Sequence, residues 1–370
     1  CGGGEKKTST ATTGGAATKT VALAFVGALT GDAANLGTLI RDGAKLAVEE
    51  ANKKQRTYRI VLKEFDTQGD PAQATTLKDQ FINDPRIVGV VGPAFSGETK
   101  ALLPSLQEAG LPMVSASATN KDLPNVVPNQ TVFHRIVADD TYQGKGIGSY
   151  IAKTLGAKAV VLVDDNSEYG KGLADDTEAA IKANGGSVAK RVTIDPKSQD
   201  YSAAVNDIKA ANPDVVFYGG YYQQAGLLRK QLVDAGVKAT FMSGDGSLDV
   251  GFIQAAGPAA EGALIGCPCN LATPDDPGPL GQFFKRFKAT IGRDPGIYSP
   301  EGYDAANVLI EGILKGNDTR EKLRNWLENE FTSMQGVSKT IEFEPNGNVK
   351  ATQVFIFEVK GGKFAPKASS

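Results

Sequence analysis

The chain has 370 residues, a formal net charge of −2 and 22% charged residues. At about 150 residues per domain, this length predicts two domains, each long enough to bury a substantial core. The nearly neutral charge leaves no basic face for nucleic acid, and no apolar run approaches the roughly 20 residues of a membrane-spanning helix.

The first twenty residues have an unusual composition. Cys1 opens the chain, and residues 2–20 are small, polar and rich in Gly, Ser and Thr. Such a tract cannot pack a core and predicts a flexible tether over residues 1–20. A cysteine before a tether is typical of a mature bacterial lipoprotein whose signal peptide has been removed, so we expect a lipid on Cys1 that anchors the protein outside the cytoplasm. The alternative is a chain end that falls on a cysteine by chance.

Strands and helices then alternate along the chain. Apolar runs predict strands at 21–26, 58–65, 87–91 and 111–115, separated by helical patterns at 37–52, 71–83 and 98–109. Alternation of this kind is typical of a parallel sheet covered by helices on both faces. The first part of the chain therefore predicts an α/β lobe.

A second alternating series follows. It predicts strands at 159–163, 188–192, 215–218, 240–243 and 263–266, with helices at 142–155, 171–184, 201–211 and 223–235. Helical patterns at 280–291, 303–314 and 320–329 come next, and hairpin-like segments at 340–343 and 354–359 end the chain.

Helices that follow a complete second sheet must cover something, most simply the first sheet. We therefore expect the chain to cross between two lobes near 138–141, 266–272 and 344–350. The predicted first lobe comprises 21–138 and 270–344, and the second comprises 139–269 and 345–366.

The usual marks of an enzyme are missing from the sequence. It has no G-x-S-x-G elbow, no P-loop and no H-E-x-x-H pair, and His134 is its only histidine. The acidic run from Asp165 resembles a calcium loop, but Tyr169 occupies a position that needs an oxygen ligand. Cys267 and Cys269 are predicted to be structural, either free or joined by a strained bridge. We expect neither catalysis nor a cofactor.

Four small residues follow two neighbouring strands of the first predicted sheet. Ser96 and Gly97 come after the strand at 87–91, and Ser117 and Thr119 come after the strand at 111–115. Hydroxyls, free backbone N–H groups and the positive end of the next helix would meet there, which favours a small carboxylate. The alternative is that Ser96 and Thr119 only cap helices.

The second sheet presents a different chemistry beyond its strands. Tyr169, Tyr221 and Asp245 offer two aromatic faces and one carboxylate, which suit an ammonium group. Ligands of open α/β sheets bind at such strand ends, so a ligand with a carboxylate and an ammonium is predicted between the lobes. The alternatives are tyrosines that cap a core and an aspartate that shapes a turn.

A series of short segments, in this order, resembles the leucine/isoleucine/valine-binding family, the extracytoplasmic substrate-binding proteins of branched-chain amino acid ABC transporters. The segments are VGALTG (26–31), GVVGPAFSGET (89–99), PMVSASAT (112–119), SEYGKGLA (167–174), VVFYGGYYQQAGLLRKQ (215–231), FMSGDG (241–246) and EGYDAA (301–306). The resemblance implies a periplasmic-binding-protein type I fold, with two doubly wound parallel-sheet lobes joined by a three-crossing hinge. It also implies a free amino acid ligand, an ABC permease partner and a monomer.

By position, the resemblance assigns roles to the residues named above. Ser96, Ser117 and Thr119 would hold the carboxylate of the ligand in the first lobe. The second-lobe contacts would be Tyr169, Tyr221 and Asp245, with Asp245 taking the ammonium. Tyr298 matches an aromatic near the side-chain pocket.

Three departures bear on which side chain is accepted. Leu36 stands where an aromatic often lines the side-chain pocket. Asp245 is one methylene shorter than the glutamate common at its position. Gln223 and Gln224 could bond to a polar side chain. The resemblance therefore implies an amino acid more firmly than a branched-chain one.

The sequence thus predicts a non-enzymatic receptor that closes on an amino acid, most simply an aliphatic one, and delivers it to an importer. Three other functions remain open. They are a ligand sensor of the same fold, a binder of short amides or aromatic acids, and an amidase or esterase with an unfamiliar site.

Overall fold

The computed structural model describes residues 18–350 and 352–369. Cys1 and all but the last three residues of the predicted tether lie outside this range, so the lipid stays a prediction. Within the described residues, no helix is both long and apolar enough to cross a membrane.

The first lobe is built on a five-stranded parallel sheet. Its strands are β1 (Lys19–Gly27), β2 (Tyr58–Asp66), β3 (Ile87–Val91), β4 (Met113–Ser115) and β5 (Phe133–Arg135), in the order β2-β1-β3-β4-β5. The helices α1 (Ala34–Lys54), α2 (Pro71–Ile82) and α3 (Ser96–Glu108) alternate with the first four strands. Every residue of β3 is buried, as expected for a strand covered on both faces. The predicted alternation is confirmed here.

The sequence did not predict β5. The strand has three residues and includes His134 and Arg135, which patterns of hydrophobicity assign to a polar loop. His134 is buried and packs against Phe343, with ring centroids 4.8 Å apart. Burial lowers the pKa of His134 to about 4, so the side chain is a neutral core residue near pH 7.

The second lobe has a larger sheet. Its parallel strands are β6 (Val160–Asp164), β7 (Val188–Thr193), β8 (Val215–Gly219), β9 (Thr240–Ser243) and β10 (Leu264–Cys267). The helices are α4 (Asp140–Ser149), continued by a π turn, α5 (Glu168–Ala183), α6 (Ser202–Ala211), α7 (Tyr222–Asp234) and α8 (Val250–Ala256). The sequence did not predict α8, because seven residues are too few to show a helical period.

The last third of the chain visits both lobes. The helices α9 (Pro279–Ile291) and α10 (Ser299–Leu314) pack on α1, and α11 (Arg320–Asn329) packs on β3. Along the described residues the chain passes between the lobes after β5, after β10 and again before its final hairpin. The exact lobe limits given above stay a prediction.

The C-terminal strands pair differently from part of the prediction. The segment predicted at 340–343 forms β12 (Thr340–Ile341), which pairs with β11 (Met334–Gln335) just before it. The hairpin of β13 (Phe355–Lys360) and β14 (Lys363–Ser369) turns at Gly361 and Gly362 and extends the second sheet in the order β14-β13-β10-β9-β8-β6-β7. Pairing with β10 is antiparallel, so two late strands complete a mainly parallel sheet.

The contact between α1 and α10 depends on two glycines. A Cβ on Gly43 would lie 2.2 Å from the Ser299 carbonyl oxygen, and a Cβ on Gly302 would lie 2.3 Å from the Ile40 carbonyl oxygen. Real side chains do not approach backbone so closely, so the two helices touch through their main chains. This contact fixes the distance between Ile40, on α1, and Tyr298, which directly precedes α10.

Gly43→Ala should lower the free energy of unfolding by about 1–3 kcal/mol, because the methyl group must push the two helix backbones apart. The loss should appear even though Ala favours a helix over Gly by about 1 kcal/mol. Lys45→Ala, on the exposed side of the same helix, is the matched control and should change stability by less than about 0.5 kcal/mol. Urea unfolding measures both, and a Gly43→Ala protein as stable as the wild type would contradict the tight contact.

Candidate functional site

A cavity of about 300 Å³, partly open to solvent, lies between the two lobes. Six of the eight predicted ligand residues line it, and both lobes contribute. Its lining consists of Leu36, Ile40, Ala94, Phe95, Ser96, Ser117, Tyr169, Tyr221, Asp245, Gly246 and Tyr298. Strand ends that are far apart in sequence therefore meet at one site, as parallel sheets allow.

The first-lobe side of the cavity is formed by the start of α3 and the loop after β4. Ser96 is the first residue of α3, and its Oγ accepts a hydrogen bond from the Asn120 backbone N–H at 3.1 Å. The hydroxyl hydrogen of Ser96 is therefore available to a ligand. Ser117 donates its own hydroxyl hydrogen to the Ala94 carbonyl oxygen at 2.5 Å. The N–H groups of the first turn of α3 have no acceptor within the helix, which favours an anion.

Two predicted residues do not reach the cavity surface. Thr119 is fully buried behind the lining, and its Oγ1 has no hydrogen-bond partner among the described residues. Gly97 lies nearer to α2, where a Cβ would be 2.9 Å from Cγ of Pro71. Direct contact of either residue with a ligand stays a prediction.

Glu98 lies at the same helix start and is completely buried. It accepts hydrogen bonds from the Phe95 backbone N–H at 3.3 Å and from the Thr67 hydroxyl. Burial raises the pKa of the Glu98 carboxyl to about 8. Glu98 is therefore mainly protonated at pH 7 and places little negative charge beside the cavity.

Asp245 dominates the second-lobe side. Its Oδ1 accepts from the Tyr169 hydroxyl at 2.7 Å and from Nε2 of Gln143, and its Oδ2 accepts from the Tyr298 hydroxyl at 2.7 Å. Only 4% of Asp245 is exposed. Burial raises the pKa of its carboxyl to about 6, although the two tyrosine hydroxyls act in the opposite direction. Asp245 is more than a turn residue, because its side chain is buried among donors that carry no charge.

Aromatic rings surround this carboxylate. The centroid of Tyr221 lies 5.3 Å from that of Tyr169 and 5.4 Å from that of Phe95, so rings of both lobes meet across the cavity. Tyr298 has a φ of 59°, a left-handed conformation that a bulky residue seldom adopts. Such strain is concentrated at functional sites, where the surrounding structure holds the residue in place.

Sequence reasoning missed Phe95, Asp140 and Gln143. Asp140 is fully buried, and its carboxylate lies near the Thr119 hydroxyl, although neither group makes a contact of hydrogen-bond geometry among the described residues. Burial raises the pKa of Asp140 well above its usual range, and the charge of Asp245 adds to the shift. Asp140 and Gln143 are three residues apart at the start of α4, a spacing that places both on one helix face and could have identified them.

Other candidate residues lie outside the cavity or have local partners. Gln223 is exposed and Gln224 donates to the Pro196 carbonyl oxygen at 3.1 Å, so neither reaches a ligand side chain as suggested. Asp165 accepts from the backbone N–H and hydroxyl of Ser167, and no cluster of His, Cys, Asp or Glu in the described part of the chain could hold a metal ion.

The two cysteines, whose redox state the sequence left open, are joined by a disulfide. Their Cα atoms are 5.0 Å apart. Sγ of Cys267 lies 4.0 Å from the Tyr298 hydroxyl, which in turn donates to Asp245. The disulfide therefore packs directly behind the site.

The carboxyl of Asp245 should make the free energy of unfolding fall as pH rises, and Asp245→Asn should remove this part of the pH dependence. The pKa of the carboxyl is about 6 in the folded chain and 3.8 ordinarily, so between these values the folded state holds more protons than the unfolded state. Its contribution to the free energy of unfolding then falls as pH rises, by about 2 to 3 kcal/mol in total.

Urea unfolding at pH 4.5 and pH 7, on protein freed of ligand by refolding, measures this difference. The Asp245→Asn protein should gain stability relative to the wild type at pH 7. An identical pH dependence in the two proteins would contradict a buried, unpaired carboxyl.

Comparison with known proteins agrees with this geometry. Residues 20–363 match the Periplasmic binding protein family. The Leu/Ile/Val-binding protein BraC3 of Rhizobium johnstonii is 34% identical over 305 residues, which cover 81% of each chain. The leucine binding protein LivK of Thermotoga maritima is 27% identical, with a TM-score of 0.85 over 94% of this chain and 98% of that one.

A further structure has the same architecture. The branched-chain amino acid transporter substrate binding protein LivJ of Streptococcus pneumoniae, solved in complex with isoleucine, is 25% identical. Its TM-score is 0.85, over 95% of this chain and 99% of that one. These matches confirm the two-lobed, type I fold that the resemblance implied. The chain belongs to the Periplasmic binding protein family.

Proposed function

We propose that this protein is the substrate-binding component of an ABC importer and that it captures a free aliphatic amino acid between its lobes. One observation carries the proposal. The buried carboxylate of Asp245 has hydrogen-bond partners that are all neutral, and it faces a helix start with an available hydroxyl across the same cavity. A ligand with an ammonium at one end and a carboxylate at the other would supply a cation to Asp245 and an acceptor to the helix start.

The carboxylate of the ligand would lie against α3. Ser96 would donate its hydroxyl hydrogen, and the free N–H groups of the first helical turn would add donors and a partial positive charge. The ammonium would pair with Asp245 beside the rings of Tyr169 and Tyr221. Both interactions gain strength as water leaves the cavity.

The remaining lining suits an aliphatic side chain. Leu36, Ile40 and Phe95 offer apolar surface from the first lobe. Leucine or isoleucine would bury its branched chain there, a gain of about 1.5–3 kcal/mol relative to exposure. The relatives named for leucine, isoleucine and valine support the same class of ligand.

Ligand binding would work by closing the cleft. Contacts from both lobes give the ligand a higher affinity for the closed form, and only such a difference shifts the conformational equilibrium. The closed, loaded protein would then dock on the permease. Proteins of this family act by binding substrate rather than by catalysis, outside the cytoplasm. The lipid on Cys1 and the monomeric state stay predictions.

Asp245→Ala should weaken binding of the amino acid by roughly 2–5 kcal/mol, because the buried ammonium loses its only ionic partner. Titration calorimetry at pH 7.5 measures the change. Asp275→Ala, at an exposed position, is the control and should leave affinity as in the wild type. An unchanged affinity in the Asp245→Ala protein would remove Asp245 from the binding site.

A thermal-shift panel tests the class of ligand. Leucine, isoleucine and valine should raise the melting temperature, since a ligand at a hundred times its Kd adds about 2.7 kcal/mol of stability. Benzoate lacks the ammonium and simple amides lack both charged ends, so neither should change the melting temperature. A shift with benzoate or an amide, and none with any amino acid, would overturn the proposal.

A further inference from the structure

We infer that Asn120 is a positioning residue that connects the proposed carboxylate subsite to the second lobe, and that Gly172 provides the recess that receives it when the cleft closes. The inference rests on the proposed function, and it adds the contact by which occupancy of one lobe favours closure of the other.

The backbone of Asn120 is fixed within the first lobe. Its N–H donates to Oγ of Ser96 at 3.1 Å, and its carbonyl oxygen accepts from Nη1 of Arg135 at 2.7 Å. Its side-chain Oδ1 accepts from the Asp122 backbone N–H at 2.9 Å. Only 8% of Asn120 is exposed, so its amide has one defined orientation.

The side-chain NH2 group of Asn120 reaches the other lobe. Nδ2 donates to the Glu168 carbonyl oxygen at 2.7 Å, at the start of α5. Glu168 directly precedes Tyr169, whose hydroxyl donates to Asp245. One residue therefore joins the two subsites: its backbone N–H binds the hydroxyl proposed for the carboxylate, and its side chain binds the backbone next to the proposed ammonium site.

The hydrogen bond from the Asn120 backbone N–H to Ser96 connects the bound carboxylate with the Asn120 side chain. Because Oγ of Ser96 accepts from the Asn120 N–H, the Ser96 hydroxyl hydrogen is left for the carboxylate of the ligand. Hydrogen bonds in such a chain polarise and strengthen one another. A carboxylate bound to Ser96 would thus tighten the segment that carries the Asn120 side chain.

Gly172 leaves space for the side chain of Asn120. A Cβ at residue 172 would lie 2.8 Å from Nδ2 of Asn120 and 3.8 Å from its Cγ, and apart from the neighbouring residues and backbone of α5 no other described heavy atom lies within 4 Å. The first atom that a methyl group meets therefore belongs to the opposite lobe. Since Asn120 is held at both ends of its amide, the methyl would displace Nδ2 from the Glu168 carbonyl.

The other contacts across this edge of the cleft are weaker candidates for the role. Lys100 pairs with Glu168 at 2.8 Å, but both side chains are about half exposed. Lys121 pairs with Asp176, where the lysine is also exposed. Water and salt screen such pairs, so they contribute little to closure. The hydrogen bond from Asn120 to the Glu168 carbonyl is part-buried, so water screens it less than it screens these two exposed ion pairs.

Gly172→Ala tests the inference because it should hinder closure of the cleft without destabilising the ligand-free protein. Ala is the better helix former, so α5 should be at least as stable in the ligand-free protein. Affinity for L-leucine, L-isoleucine or L-valine should fall about tenfold, mainly through faster dissociation, since the closed form alone contains the collision. Lys171→Ala, the exposed neighbour in α5, is the matched control and should bind as the wild type does.

A double-mutant cycle tests whether Asn120 is the residue that the methyl group at position 172 contacts. Asn120→Ala should also weaken binding, because the contact with Glu168 is lost. The protein with both Asn120→Ala and Gly172→Ala should bind no more weakly than Asn120→Ala alone, because the added methyl then meets nothing. Two residues in contact show this kind of non-additivity, whereas independent residues give additive losses.

Calorimetry and stopped-flow dissociation on the four proteins decide between the outcomes. Wild-type affinity in Gly172→Ala, or additive losses in the double variant, would overturn this inference while the proposed function stands. A lower stability of ligand-free Gly172→Ala would also overturn it, since the glycine would then serve folding. Absence of binding of all three amino acids to the wild type would overturn the proposed function and this inference together.

Discussion

A carboxylate that is out of water and held only by neutral groups is the constraint on which the site depends. Asp245 receives hydrogen bonds from two tyrosines and a glutamine, and burial still raises its pKa to about 6. A protein selected for stability alone would replace such a group or pair it with a cation. Because Asp245 has no cationic partner, the ligand-free protein is less stable, and a ligand with a cationic group binds more tightly.

The first-lobe half of the cavity offers dipoles, rather than a charged side chain, to the carboxylate of the ligand. Ser96 and the first turn of α3 supply a hydroxyl, free N–H groups and the positive end of a helix, while Glu98 next to them is kept mainly neutral by burial. Among the described residues, no lysine or arginine lines the cavity, and Asp245 is the one carboxylate in its lining. This lining suits the ammonium of a zwitterion, whereas a purely anionic ligand would leave Asp245 without a cation.

Packing outside the cavity sets these distances. The main chains of α1 and α10 touch at Gly43 and Gly302, and Tyr298 is held in a left-handed conformation where α10 begins. The disulfide at the end of β10 packs behind the same tyrosine. A ring that is fixed from two directions can present its hydroxyl to the carboxylate without a further loss of entropy on binding.

The sequence by itself determined the alternation of strands and helices and, through it, the strand ends where Ser96, Ser117, Tyr169 and Asp245 would lie, because burial on both faces leaves a readable pattern of apolar runs. Only the tertiary structure decided that Thr119 lies behind the lining, that β5 is a strand and that the start of α4 contributes to the site. These features arise where elements that are distant in sequence touch. A hydrophobic pattern shows which face of an element is buried, but it does not show which other element covers that face.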